Sequence, residues 1–183
     1  KIPFVASFSA FVVNKGFEQL RVTVAYPNTN VKVVGTHSGI SIGEDGPSQM
    51  SVEDIALMCS LPGFTVISPA DEVAMAAFVK LAAAHQGPVF LRAGRVKVPV
   101  VYPAGFEFTI GKAVELMAGT DITLISHGLM TAESIRAAEI LEGEGVSARV
   151  IDMPTIKPLD TEAIAKAASE TGAIVVSEEH LAD

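Results

Sequence analysis

Short runs of Val, Ile and other apolar residues alternate along the chain with longer stretches whose apolar positions recur at helical spacing. That rhythm predicts an α/β fold of two parallel-sheet units. Parallel strands are buried on both faces and lose the in–out alternation of a half-exposed sheet. The expected strands are residues 3–6, 31–35, 65–67, 89–92, 122–126, 148–152 and 173–177. Helices are expected over 11–24, 52–60, 71–84, 131–142 and 160–169. Ser51 and Asp160 read as N-caps, and the acidic first turn after Pro69 is a start signal for the third helix. The stretch 95–111 breaks the rhythm with Pro99, Pro103 and Gly105, and reads as a linker. The chain therefore divides into units 1–102 and 103–183. It opens at Lys1 and stops at Asp183 close to strand-like segments, so further residues are expected beyond both ends, with exposed apolar edges where core strands are cut.

Composition narrows the class of partner. Hydrophobic residues make up 49% of the 183 residues, too apolar for a disordered chain. The apolar runs fall far short of the roughly 18 residues that a membrane helix needs. Lys and Arg number 13 against 21 Asp and Glu, a net charge of -8. An acidic chain without a basic stripe argues against nucleic acid and anionic membrane as partners. The single cysteine, Cys59, rules out an internal disulfide and a cysteine metal cage, and suits a cytoplasmic protein. No signal peptide is visible.

Chemistry concentrates in one place. Residues 36–50 form a long polar loop after a strand and before a helix, carrying His37, Glu44, Asp45, Ser48 and Gln49 among conformational punctuators. In an open α/β sheet, ligands bind beyond the carboxyl ends of the strands. Gly43 and Gly46 permit backbone that side chains would forbid, which lets a loop approach a ligand closely. Asp45 can accept hydrogen bonds from sugar hydroxyls, His37 can bind a hydroxyl or phosphate oxygen, and Gln49 can donate and accept at once. The set suits a polyol. One His among scattered carboxylates lacks the closed spacing of a metal site.

The run Gly43-Glu44-Asp45-Gly46-Pro47-Ser48-Gln49 resembles the G-E-D-G-P signature of transketolases, and Thr36-His37 resembles the pair that precedes it. Leu61-Pro62, Ser68-Pro69-Ala70-Asp71, the pair Phe8 and Phe11, Arg95 after Phe90-Leu91-Arg92, Thr155-Ile156-Lys157-Pro158-Leu159-Asp160 and Glu178-Glu179-His180 all fit the family pattern. The resemblance spans essentially the whole chain. It implies most of a transketolase pyrimidine-binding domain followed by the start of the C-terminal domain.

In such an enzyme, the resemblance implies, Phe8 and Phe11 pack on the aminopyrimidine of thiamine diphosphate. His37 and Arg95 bind the distal end or phosphate of a sugar, and Asp45 binds hydroxyls near the reacting carbons. Gln49 lies near the cofactor's reactive carbon, where many relatives carry His. A Gln there is no acid or base at neutral pH. The family's activating glutamate lies upstream of Lys1. Thiamine diphosphate and Mg²⁺ are held through a pyrophosphate-binding domain or subunit outside this sequence. The implied activity is two-carbon ketol transfer between sugar phosphates, in pentose phosphate metabolism, by a homodimer or heterotetramer. The 183 residues alone are expected to be inactive. Alternatives are a related thiamine enzyme, such as a deoxyxylulose-phosphate synthase or a 2-oxoacid dehydrogenase β-subunit, or a non-catalytic assembly subunit. The G-E-D-G-P run argues against the first two.

Other residues carry blander readings. His85 and His127 look isolated, as surface or satisfied core histidines, and His180 looks structural or interfacial. Cys59 and the scattered methionines read as core filler. Glu139, Glu142 and Glu144 read as a solvated helix end, and Glu44 as a loop carboxylate that shapes the turn or a subunit contact.

Overall fold

The computed structural model describes residues 1–182; Asp183, the last residue of the expected second unit, lies outside them. The chain runs β1 (Phe4–Phe8), a helical rod, β2 (Lys32–Thr36), a 3₁₀ turn at Ile40–Asp45, α2 (Asp54–Ser60), β3 (Thr65–Ile67), α3 (Glu72–Ala84) and β4 (Val89–Arg92). It continues through β5 (Val114–Met117), β6 (Ile122–Ser126), α4 (Met130–Gly143), β7 (Ala148–Asp152), β8 (Thr155–Lys157), α5 (Thr161–Glu170) and β9 (Ala173–Ser177). The rod is built from Ala10–Lys15, α1 (Phe17–Gln19) and Leu20–Ala25. Its outer parts are wound with π-type bonds, as from Gly16 N to Phe11 O and from Tyr26 N to Arg21 O. A Cβ at Gly16 would stand 2.5 Å from Val12 O, so only glycine fits that turn.

Two sheets result, with strand orders β1-β2-β4-β3-β8 and β5-β7-β6-β9. Both are α/β sheets, as the sequence pattern predicts, but neither is purely parallel. β8 joins β3 antiparallel, and β5 joins β7 antiparallel. Neither edge strand is among those the sequence pattern predicts. Apolar side chains fill both faces of the first sheet. Val13, Leu20, Val33, Met58, Phe64 and Phe90 pack on one, and Ile67, Ala74, Phe78, Val89 and Leu91 on the other. The second sheet has smaller cores around Leu124 and Val150 and around Ile125 and Ile151. The outer edge is different: β1 leaves Phe4 at 43% and Val5 at 46% exposure, and β9 leaves Val176 at 62%.

Two local expectations change. Ser51 does not cap α2; its hydroxyl donates to Asn14 Oδ1, and the helix starts later, at Asp54. Asp71 and Asp160 do cap α3 and α5, accepting from Ala74 N and Ala163 N. The stretch 95–111 has no helix or strand, yet it is no free linker. Tyr102 and Phe108 are buried, and with Phe106 they form a mutually tilted aromatic cluster that reaches Phe78 of α3. Asp71 Oδ2 also accepts from Val101 N and Tyr102 N, which ties this segment to the start of α3.

The two units are stitched along the carboxyl end of the first sheet. Beyond the β3–β8 pair, Ser68 N donates to Pro154 O and Gly128 N donates to Ser68 O. Lys157 Nζ donates to Cys59 O and Leu61 O. His127 is not isolated: it is buried, with Nδ1 3.0 Å from Ser68 Oγ and Nε2 3.1 Å from Glu178 Oε2. The hydrogen bond from His127 holds the Glu178 carboxyl below its usual range. His180 Nε2 accepts from Ala56 N, and His85 Nε2 lies 3.4 Å from Thr65 Oγ1.

Asp152 is the strained member of this seam. It is fully buried and accepts from Tyr102 Oη and Thr131 Oγ1. Burial pushes its carboxyl up from 3.8 to about 6, against the pull of those two hydroxyls. The native state therefore binds a proton over roughly pH 4 to 6 that the unfolded chain has already released. The contribution of Asp152 is present below about pH 4 and is lost as pH rises through about 6, by at most about 3 kcal/mol. Asp152→Asn is expected to remove this part of the slope when urea-unfolding free energies of the two proteins are compared between pH 4 and 7. Identical slopes would show that Asp152 titrates alike in both states.

Candidate functional site

The carboxyl ends of β1, β2 and β4 lie side by side, in the register Phe8↔Thr36 and Gly35↔Arg92. The residues that follow those ends are therefore neighbours. Two backbone bonds extend the pairing, from Ala93 N to Gly35 O and from Ser38 N to Ala93 O. This geometry brings the loops 36–50 and 93–95 beside the start of the helical rod.

Three of the sequence-derived residues form an aromatic group. The rings of Phe8 and Phe11 are stacked, with centroids 5.7 Å apart and planes 12° off parallel. Phe8 also stacks on His37 at 3.7 Å. His37 takes a left-handed backbone (φ 56), which only a local turn demands, and its Nδ1 sits 3.0 Å from Thr36 Oγ1. Phe11 leaves 41% of its surface open. Phe8 is half-buried, so the exposed Phe11 ring of this parallel pair is the flat apolar face open to a ligand ring.

Two more residues form an ionic group. Arg95 Nη2 lies 2.6 Å from Glu44 Oε1, its Nε lies 3.1 Å from Asp45 Oδ2, and its Nη1 donates to Ile42 O at 3.3 Å. The hydrogen bond from Arg95 holds the Glu44 carboxyl below its ordinary range, and the same bond raises the guanidinium. Sequence reasoning treats Arg95 as free for an anion; in the fold it is already shared by two carboxylates. Glu44 is 76% exposed, and such surface pairs are worth about 0–1 kcal/mol. An incoming phosphate can therefore displace it cheaply. Gln49 stands apart from both groups, half-buried, with its Oε1 accepting from Ser48 Oγ. No group of three or more His, Cys, Asp or Glu among the described residues is placed to hold a metal ion.

Beneath this face runs a buried polar chain that the sequence pattern does not disclose. Ser9 Oγ donates to Asp54 Oδ2 at 3.0 Å, and Arg92 Nε donates to the same oxygen at 3.0 Å. Arg92 Nη2 donates to Glu179 O, and Glu179 Oε1 accepts from Ser41 N. Ser9, Asp54, Arg92 and Glu179 are all buried. The one signal that could have found it is an Arg at the end of an otherwise apolar strand, since a buried cation needs a buried partner.

Comparison with known proteins agrees with this architecture. Residues 1–100 match the model for the transketolase pyrimidine binding domain, and residues 111–183 match that for the transketolase C-terminal domain. A 6-deoxy-6-sulfo-D-fructose transketolase subunit of Clostridium sp. (strain MSTE9) is 41% identical over 97% of this chain and 55% of its own length. An apulose-4-phosphate transketolase subunit of Phocaeicola vulgatus is 42% identical over 97% of this chain and 57% of its own. A solved split-gene transketolase, described as an inactive β4 tetramer, superposes with TM-score 0.92 at 43% identity, over 98% of this chain and 57% of that one. The chain thus spans a little over half the length of these relatives. With the family models covering nearly all of it, and relatives of over 40% identity along 97% of it, this chain belongs to the transketolase family.

Proposed function

We propose that this chain supplies the pyrimidine-binding half of a transketolase active site and that the assembled enzyme moves a two-carbon ketol unit between sugar phosphates. The boundary between its two domains falls near residue 102, between the two matched segments. The observation that carries the reading is a stack of Phe11, Phe8 and His37, with Phe11 exposed, beside the polar loop that carries Asp45 and Gln49. Phe8 and Phe11 fit the aminopyrimidine of thiamine diphosphate, since they form a parallel stack at a strand end with Phe11 exposed. When bound, that cofactor supplies the nucleophilic carbon that breaks and makes the carbon–carbon bond, and the protein supplies orientation and electrostatics.

The chain's own residues then have separable duties. His37, braced against Phe8 and Thr36, presents its other ring nitrogen to a sugar oxygen. Asp45 accepts hydrogen bonds from hydroxyls near the reacting carbons. Arg95 exchanges Glu44 for the distal phosphate of the sugar. Gln49 hydrogen-bonds near the reacting centre and transfers no proton itself. Mg²⁺ and the diphosphate are assigned to a pyrophosphate-binding domain or partner subunit, as the family resemblance implies. The names of the two relatives describe subunits acting on sugars that carry a sulfo or a phosphate group. A terminal anionic group is thus the substrate feature to vary first. We place the enzyme in the cytoplasm, as a homodimer or heterotetramer.

The test is ketol transfer from xylulose 5-phosphate to ribose 5-phosphate, with thiamine diphosphate and Mg²⁺. The complete polypeptide with its pyrophosphate-domain partner is expected to be active, and these 183 residues alone inactive. Turnover by this chain alone would overturn the shared-site reading. Cofactor binding without turnover in the complete assembly would favour the non-catalytic alternative.

A further inference from the structure

The loop that carries His37, Asp45 and Gln49 is not held by the first sheet alone. Its 3₁₀ turn, Ile40–Asp45, begins after Gly39 and contains a kink at Gly43, with φ of +89 and +72 at these glycines. Such a turn has few internal bonds, and its shape must be fixed from outside. Arg95 grips its later part at Ile42 O, Glu44 and Asp45, and the group that fixes its start is a carboxylate that follows the other sheet. Glu179 follows β9 by two residues, is 7% exposed, and accepts from Ser41 N at 2.9 Å. Its side chain lies flat on the loop backbone: a Cβ at Gly39 would stand 2.8 Å from Glu179 Cβ and 2.9 Å from Oε2. Gly39 N is itself anchored to Ser51 O, so the start of the turn is held from two sides.

Glu179 is in turn held where it is. Its carbonyl accepts from Arg92 Nη2, its neighbour Glu178 meets His127, and Leu181 N donates to Val52 O. Through Arg92 and Asp54 the same chain reaches Ser9, the residue after Phe8. The cofactor-side aromatics and the substrate-side loop thus rest on one buried relay, but they draw on different members of it. Ser9 and Asp54 hold the Phe8 side; the Glu179 carboxylate bonds the loop, at Ser41 N.

We infer that Glu179, a residue of the C-terminal domain, is a positioning residue for the substrate loop, acting through the Ser41 amide and not on substrate or cofactor. This rests on the ketol-transfer reading for its kinetic consequence, but not for its structural one. Removing the carboxylate loosens the start of the Ile40–Asp45 turn, at the Ser41 amide, while leaving the Phe8 and Phe11 stack intact. The loss appears in sugar binding and not in cofactor binding.

The experiment uses the complete polypeptide with its partner subunit and compares wild type, Glu179→Ala and Glu179→Gln. Glutamine keeps an acceptor for Ser41 N and is the conservative rescue. Glu179→Ala is expected to raise the KM for the sugar acceptor roughly ten-fold, with thiamine diphosphate affinity unchanged, and Glu179→Gln to stay within about three-fold of wild type. Hydrogen–deuterium exchange at the Ser41 amide is expected to accelerate in Glu179→Ala and not in Glu179→Gln. A parallel fall in cofactor affinity, or a Glu179→Gln variant as impaired as Glu179→Ala, would overturn the positioning role. So would unchanged exchange at Ser41. The exchange readout stands without turnover: an inactive wild type with the expected exchange pattern would sink the ketol-transfer reading and leave the role of Glu179 intact.

Discussion

Asp54→Ala is expected to destabilise the protein by about 3–5 kcal/mol, the usual result of stripping one partner from a buried ion pair. Asp54 is completely buried and Arg92 is 5% exposed, so the guanidinium cannot turn to water. Its Nε would keep no acceptor, and Ser9 Oγ would lose the same one. Urea denaturation measures the effect. The double variant Asp54→Leu with Arg92→Met is expected to recover much of the loss, because the pair as a whole repays little beyond its own desolvation. Single and double variants with equal stability would show that the site hydrates on mutation and that the pair is not dry. Arg92→Lys is no substitute, since the contact to Asp54 comes from the guanidinium Nε, which an ammonium at the chain end does not reproduce.

The second large effect is on activity. In the assembled enzyme, Asp45→Ala is expected to cut kcat/KM for ketol transfer about a hundred-fold or more. A site built to pair a substrate hydroxyl discriminates strongly once that pairing is gone. The control is next door. Glu44 contacts the same arginine at 2.6 Å, against 3.1 Å for Asp45, and is far more exposed. If both carboxylates merely hold Arg95, then Glu44→Ala costs as much as Asp45→Ala. If Asp45 meets substrate, Glu44→Ala changes kcat/KM only a few-fold, and it tightens binding at the phosphate end by freeing the guanidinium. Equal losses in the two variants would move Asp45 from substrate contact to loop structure.

How much of this is legible in the sequence can be argued residue by residue. Strands such as Val89–Arg92 and Ala148–Asp152 stand out because both faces are buried, and a run of apolar residues between turns has few other uses. Val114–Met117 does not, because Glu115 interrupts it and its neighbours look like linker. Thr155–Lys157 is three residues long and pairs with a strand about ninety positions earlier, so no local pattern could reveal it. Ser51 reads as a cap from its type alone, but Asn14 claims its hydroxyl. The loop residues His37, Asp45 and Gln49 stand out by type and setting, and the resemblance supplies their roles. What it does not supply is the partner of each charge. That Arg95 meets Glu44 and Asp45, that Arg92 meets Asp54, and that His127 meets Glu178 are all contacts between distant segments, which charge type leaves open.

The strand Thr155–Lys157 comes from the far side of the chain's own boundary, yet it completes the first sheet and covers the edge of Val66 and Ile67. Order along the chain and order in the sheet therefore disagree about where one domain stops. A chimera that exchanged everything after residue 102 would also exchange an edge of the first sheet, the carbonyl acceptor of Arg92 and the brace on the Ser41 amide. Any C-terminal domain grafted onto this one must bring those three contacts with it.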